Sequence, residues 1–170
     1  MISKKMQESL NHQLNREIYS AYLYLAMSTY ASSINLKGVA NWFKVQMEEE
    51  LSHAQKFFNY IQQQNGTIVL KDIEAPVQKY TSTIDLFEKT LEHEKKVTKL
   101  IHSLMDQAKK ERDHATEIFL QWFVTEQIEE EENAADLVEK FKLAGKDSNS
   151  LLTIDSQLAE RTFVPPKTGS

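Results

Sequence analysis

At 170 residues the chain has the length of one domain built on one core, and its 25 acidic residues against 20 Lys and Arg leave a formal charge of -5, a poor match for nucleic-acid phosphates. The absence of cysteine excludes disulfides, thiolate zinc sites, iron–sulfur clusters and thiol nucleophiles. Residues 1–10 are polar and carry two lysines, so no secretory leader is read, and no apolar run approaches the roughly 20 residues of a membrane span.

Residues 1–37, 39–65 and 77–144 contain neither Gly nor Pro, a pattern of long helices. Helices are predicted near 4–33, 37–64, 82–110 and 115–144, with Gly38 marking the turn between the first two. A short fifth helix is predicted near 149–161, completing a 1–161 unit, and 162–170 reads as an extended tail. The 77–144 stretch is too long for one helix, and Glu111-Arg112-Asp113 is the expected break, with Asp113 as the new N-cap. Ser82 with Asp85 three residues on resembles a capping box. Between the second and third helices, Gly66 to Tyr80 can span about 45–50 Å when extended, enough to run beside a helix of about 42 Å. The second and third helices are then parallel, and the other neighbours form hairpins.

Each long helix carries an apolar stripe at three- and four-residue spacing. The first reads Met6, Leu10, Leu14, Glu17, Ala21, Leu25, with Tyr24 beside it. The second reads Val39, Phe43, Met47, Glu50, Ala54, Phe57, Ile61, with His53 beside it. The third gives Ile84, Phe87, Leu91, Glu94, Thr98, Ile101, Met105, and the fourth Leu120, Phe123, Gln127, Glu130, Ala134, Leu137, Phe141. A carboxylate interrupts every stripe near its midpoint, so the four reach one layer whichever way the helices run.

Clustered carboxylates in a low-dielectric core are costly unless cations compensate them. No Lys or Arg shares the central stripe positions, so metal ions are the expected counter-charge, with His53 as a nitrogen donor. Glu50 and His53 form the Glu-x-x-His pair of di-iron and di-manganese bundles. Alone, such a pair is ordinarily two solvated side chains, and the runs 48–50 and 129–132 are ordinarily solvated faces; agreement of four segments at one depth favours metal. His12, His93, His102 and His114 lack that context and are read as surface residues. Two other readings stay open on the residues: a helical scaffold without enzymatic activity that meets a basic partner, and a di-iron or di-manganese oxidase of an organic substrate.

Glu17 within NREIYSAYLYLAMSTY, Glu50 and His53 within VQMEEELSHAQKF, Glu94 within LEHEKKV, and FLQWFVTEQIEEEE resemble the prokaryotic non-haem ferritins over roughly residues 1–160. The resemblance implies an all-α, ferritin-like four-helix bundle with one long crossover between helices 2 and 3 and a short fifth helix. It implies Glu17, Glu50 and His53 on a first iron, Glu17 and Glu50 bridging to a second held by Glu94 and Glu130, and Gln127 lining the site. Tyr24 matches a tyrosine beside the centre and Trp122 an aromatic that assists electron supply; Glu49, Glu126 and Glu129, with Glu130, match a third iron site. Bacterioferritins carry a second Glu-x-x-His on helix 4, where this chain has Gln127 and Glu130, and their haem-ligating Met is Leu51 here, so no haem is expected. The implied protein is a cytoplasmic iron store and ferroxidase, taking Fe(II) and O2 as substrates and assembling into a hollow shell of 24 subunits, without nucleic-acid or membrane partners. Setting aside the seven proposed ligand glutamates leaves 18 acids against 20 bases, so the acidity is expected to concentrate in the metal sites.

Overall fold

The computed structural model describes residues 1–165, and its regular structure is entirely helical: α1 (Lys4–Ser33), α2 (Lys37–Gln63), α3 (Thr83–Glu111), α4 (His114–Ala144) and α5 (Ser148–Leu158). The expected caps form. Ser82 Oγ accepts from the Asp85 amide at 3.1 Å, while the Asp85 carboxylate accepts from the Thr81 amide at 2.8 Å, one residue earlier than a standard box places it. Asp113 Oδ1 accepts from the Thr116 amide, and Arg112 turns the chain in the left-handed region at φ 56°. The α1–α2 turn uses Asn35 in the same way, at φ 60°. Gly38, expected at that turn, instead lies inside α2 and serves a close contact described below. Of the expected tail, residues 162–165 form no helix or strand, and 166–170 lie outside the described residues.

The crossover is held by amide side chains spaced one helical turn apart on α1. Gln7 Oε1 accepts from the Thr67 amide at 2.9 Å, Asn11 accepts from the Val69 amide and donates to the Thr67 carbonyl, and Asn15 does the same for Lys71 and Val69. Four helical residues rise about 6.0 Å and two extended residues about 6.6 Å, so each amide meets every second crossover residue. The crossover therefore runs in the direction of α1 and delivers α3 to the far end of α1, where the Tyr30 and Tyr80 rings lie 5.1 Å apart. Helix α3 then returns, its last residue Glu111 accepting a hydrogen bond from Ser3 at 2.5 Å. Helices α2 and α3 are consequently parallel, and α1–α2 and α3–α4 are hairpins.

The core divides into two apolar clusters. One is built around Tyr24, Met27, Phe43, Phe87 and Phe141, the other around Met6, Leu10, Leu14, Phe57, Ile61 and Phe123. Between them Glu17, Glu50, His53, Glu94, Gln127 and Glu130 are all buried. The α1 stripe departs from expectation at one position: Leu25 is 40% exposed and Tyr24 fully buried. Two successive steps of four overshoot the 3.6-residue turn, so the core position after Ala21 is three residues on.

Helix α5 lies against the start of α2 and packs Leu151, Ile154 and Leu158 on the first apolar cluster, while Leu152 stays exposed. Leu36, at the N-cap of α2, supplies no side-chain bond, and the role falls to Asp155 of α5, whose Oδ1 accepts from the Val39 amide at 2.8 Å. Asn41 Nδ2 reaches the carbonyls of Leu158 and Arg161, and α5 ends at Leu158 rather than at the expected 161. A Cβ on Gly38 would stand 1.6 Å from the Asp155 carbonyl oxygen. Gly38→Ala is thus expected to push α5 off α2 and destabilise the chain by about 1–3 kcal/mol, measured as a lowered urea midpoint; an unchanged midpoint would show that α5 contributes little.

Candidate metal centre

Each central ligand candidate is placed by the helical spacing of its stripe. Glu17 projects from α1, Glu50 and His53 from one face of α2, Glu94 from α3, and Gln127 and Glu130 from α4. One ligand atom each from Glu17, Glu50 and His53 lies within 4.8 Å of the other two, and the same holds for His53, Glu126 and Glu130. His53 joins the groups, its Nδ1 3.7 Å from Glu50 Oε2 and its Nε2 3.7 Å from Glu126 Oε1. Among the described residues no Lys or Arg pairs with Glu17, Glu50, Glu94 or Glu130.

Neutral amides orient this charge. Gln13 donates to Glu17 Oε1 at 2.7 Å, Gln46 to Glu130 Oε2 at 2.9 Å and Gln127 to Glu94 Oε2 at 3.2 Å, while the Tyr24 hydroxyl donates to Glu94 Oε1. Gln13 and Gln46 do not interrupt the apolar stripes as glutamates do, although each stands four residues before a central glutamate, and that spacing is the signal that could have found them. Glu50 Oε2 has no hydrogen-bond partner among the described residues. An unsatisfied carboxylate oxygen on a fully buried residue is costly to keep and is suited to accept a cation.

The remaining candidates divide. Trp122 packs edge-on against His53 at 5.3 Å, with Lys56 Nζ 4.2 Å above its ring. Glu126, a member of the second group, and Glu49 are half-buried, whereas Glu129 is exposed and belongs to neither group. Leu51, at the haem-ligand position of bacterioferritins, is 48% exposed. His12, His102 and His114 are exposed. His93 is not a surface residue: it is buried, hydrogen-bonded to Ser20 Oγ at 2.8 Å, and edge-on to Tyr24. Burial, reinforced by Arg16, depresses its pKa to about 4, so it is a neutral wall of the Tyr24 pocket. Arg161, beyond α5, was not foreseen either; its guanidinium pairs with Glu49 at 2.7 Å.

Burial shifts every central acid upward. Glu94 rises to about 8 through burial and then the nearby Glu130 charge. Glu17 and Glu50 rise well above the usual carboxylate range through burial, with each raised further by a neighbouring glutamate. Glu130 rises for the same first reason, although Gln46 works against it. For His53, burial disfavours the charged ring, but Glu126, Glu17 and Glu130 outweigh it and the net shift is upward. Such a site, left without cations, holds protons, and each cation bound must release them.

A sequence model of the ferritin-like domain matches residues 7–144. The chain belongs to the ferritin family. It is 37% identical over 158 residues to the bacterial non-heme ferritin of Campylobacter jejuni, covering 93% of this chain and 95% of that one. With its Bacteroides fragilis counterpart it shares 40% over 161 residues, 95% of this chain and 100% of that one. Among solved structures, an Archaeoglobus fulgidus ferritin engineered into a closed form superposes with a TM-score of 0.96 at 49% identity, covering 96% of this chain and all of that one. The open-pore ferritin of the same archaeon superposes at 0.95, also with 49% identity, over 95% of this chain and all of that one. The ferritin-like bundle that the resemblance implies is the fold observed.

Raised carboxyl pKa values lend stability while the groups keep their protons, that is below their unfolded values, and this stability is lost as pH rises through the folded values. The metal-free chain is therefore expected to be more stable near pH 5 than near pH 9, with the Glu94 share of the fall complete as pH passes its value of about 8. Glu94→Gln should flatten that fall. Urea unfolding in the presence of a chelator measures both, and a stability that rises from pH 5 to 9 would contradict the assignment.

Proposed function

We propose that the chain stores iron, oxidising Fe(II) with O2 at the central site and passing Fe(III) into a hollow shell. The observation that carries this is the layer of four buried glutamates with His53, unpaired by Lys or Arg among the described residues and flanked by apolar clusters. Glu17, Glu50 and His53 would hold one Fe(II), and Glu94 and Glu130, with Gln127 beside them, a second. Two Fe(II) supply the two electrons that take O2 to the peroxide level, and water and hydroxide complete the ferric product. Hard carboxylate oxygens favour Fe(III) over Fe(II), and they can shift between bridging and terminal binding as charge rises.

Tyr24, donating to Glu94, would fix that ligand's orientation; Trp122, packed on His53, would assist electron supply. Glu49, Glu126 and Glu129, with Glu130, would form a third site on the product's way out. Family membership supports a shell of 24 chains, in which the exposed Leu152 and Leu143 are suited to contacts between subunits. No described helix is long and apolar enough to cross a membrane, in keeping with a cytoplasmic store.

Two measurements test the reading. Aerobic Fe(II) oxidation should fall in Glu50→Ala and His53→Ala by at least the roughly 10–100-fold that changes around metal sites cost; equal rates in native and both variants would sink it. Size-exclusion chromatography with light scattering should return a mass near 24 chains, and a dimer would overturn the shell.

A further inference from the structure

The chain just past α5 brings a guanidinium against the proposed iron sites. Arg161 Nη2 lies 2.7 Å from Glu49 Oε2, its Nη1 reaches the Trp42 carbonyl at 3.5 Å, and its Cζ stands 4.9 Å over the Trp42 ring. Asn41 Nδ2 donates to the Arg161 carbonyl at 2.9 Å. Both ends of the residue are therefore fixed to α2, and the side chain is only 24% exposed. The field of Arg161 also reaches the buried Glu130.

A carboxylate whose Oε2 accepts from a guanidinium at 2.7 Å has one lone pair engaged and part of its charge neutralised, which makes it a weaker ligand for a metal ion. A divalent cation beside Glu49 would also meet a fixed positive charge within a few ångströms, where screening is weak. We infer that Arg161 is the resident counter-ion of the outer acidic cluster and competes with a divalent cation for Glu49. This rests on reading Glu49 as part of a third iron site. Under this inference iron passes Glu49 in competition with a tethered charge, which keeps the outer site weak and its occupancy brief. The coupling is reciprocal: a cation on Glu49 weakens one of the contacts that hold the segment after α5.

Zn(II), which is redox-inert, tests this by calorimetric titration of the assembled, full-length protein. Glu49→Gln identifies the outer-site step in the native titration as the one it abolishes. Arg161→Met, which keeps an apolar stem over Trp42 and removes the charge, should tighten that step by at least about fivefold, the lower end of ordinary coupling factors. The central-site steps should stay as in the native protein. Arg161→Gln provides a second neutral variant should the Met form not assemble. Arg161→Lys, which returns a positive charge, should bind Zn(II) at the outer step more weakly than Arg161→Met. A merely structural role for Arg161 would lower stability without tightening any zinc step. An outer step of native strength in the neutral variants overturns the inference and leaves the third site standing, as does equal tightening in Met and Lys. If neither the native protein nor the neutral variants show a step dependent on Glu49, the third-site reading falls and the inference with it.

Discussion

Like-charged carboxylates crowded into a dry bundle repel one another, and the rest of this molecule is arranged around that repulsion. Glu17, Glu50, Glu94 and Glu130 are each at most 5% exposed, with no Lys or Arg paired to them among the described residues. Two apolar clusters above and below supply the burial that holds the layer shut. In the absence of cations the charge is relieved by retained protons, which is why every central acid titrates upward. The fold thus keeps an arrangement that is unfavourable by itself, ready for ligands that make it favourable.

Neutral polar groups do much of the positioning. Gln13, Gln46, Gln127 and Tyr24 fix individual carboxylate oxygens without neutralising them. A lysine at any of these places would supply the counter-charge permanently and lower the demand for metal. Positive charge is instead kept at the rim: Arg161 at Glu49 and Lys56 over Trp122. Both belong to half-buried surroundings, where a cation retains part of its hydration.

The stripes, the midpoint glutamates and the caps at Ser82 and Asp113 were legible because each depends on residues within a turn or two of itself. What escaped depends on contacts over long separations. Arg161 meets Glu49 across 112 positions and Asp155 caps α2 across 116, and no periodicity announces either. Gly38 read as a turn because glycine often marks one, whereas here the missing side chain admits the backbone of α5. His93 lies one residue from Glu94 yet faces α1, so a reading organised around stripes passed over it. Leu25 was misplaced by a single residue, where steps of four and three along α1 could not be told apart without its neighbours.

The central layer is shared between two pieces of chain that form by local contacts. Glu17, Glu50 and His53 come from the α1–α2 hairpin, and Glu94, Gln127 and Glu130 from the α3–α4 hairpin. Each hairpin joins helices adjacent in sequence, but the layer exists only once the two hairpins dock. Docking in the absence of cations brings carboxylates together; docking around them joins ligands to a common centre. A cation seated there is held by both halves at once, and by mass action its binding favours the docked chain over the open one. On the proposed reading the cargo would act as a clasp between the halves, and the supply of metal would bear on how much folded protein there is as well as on how much the shell contains.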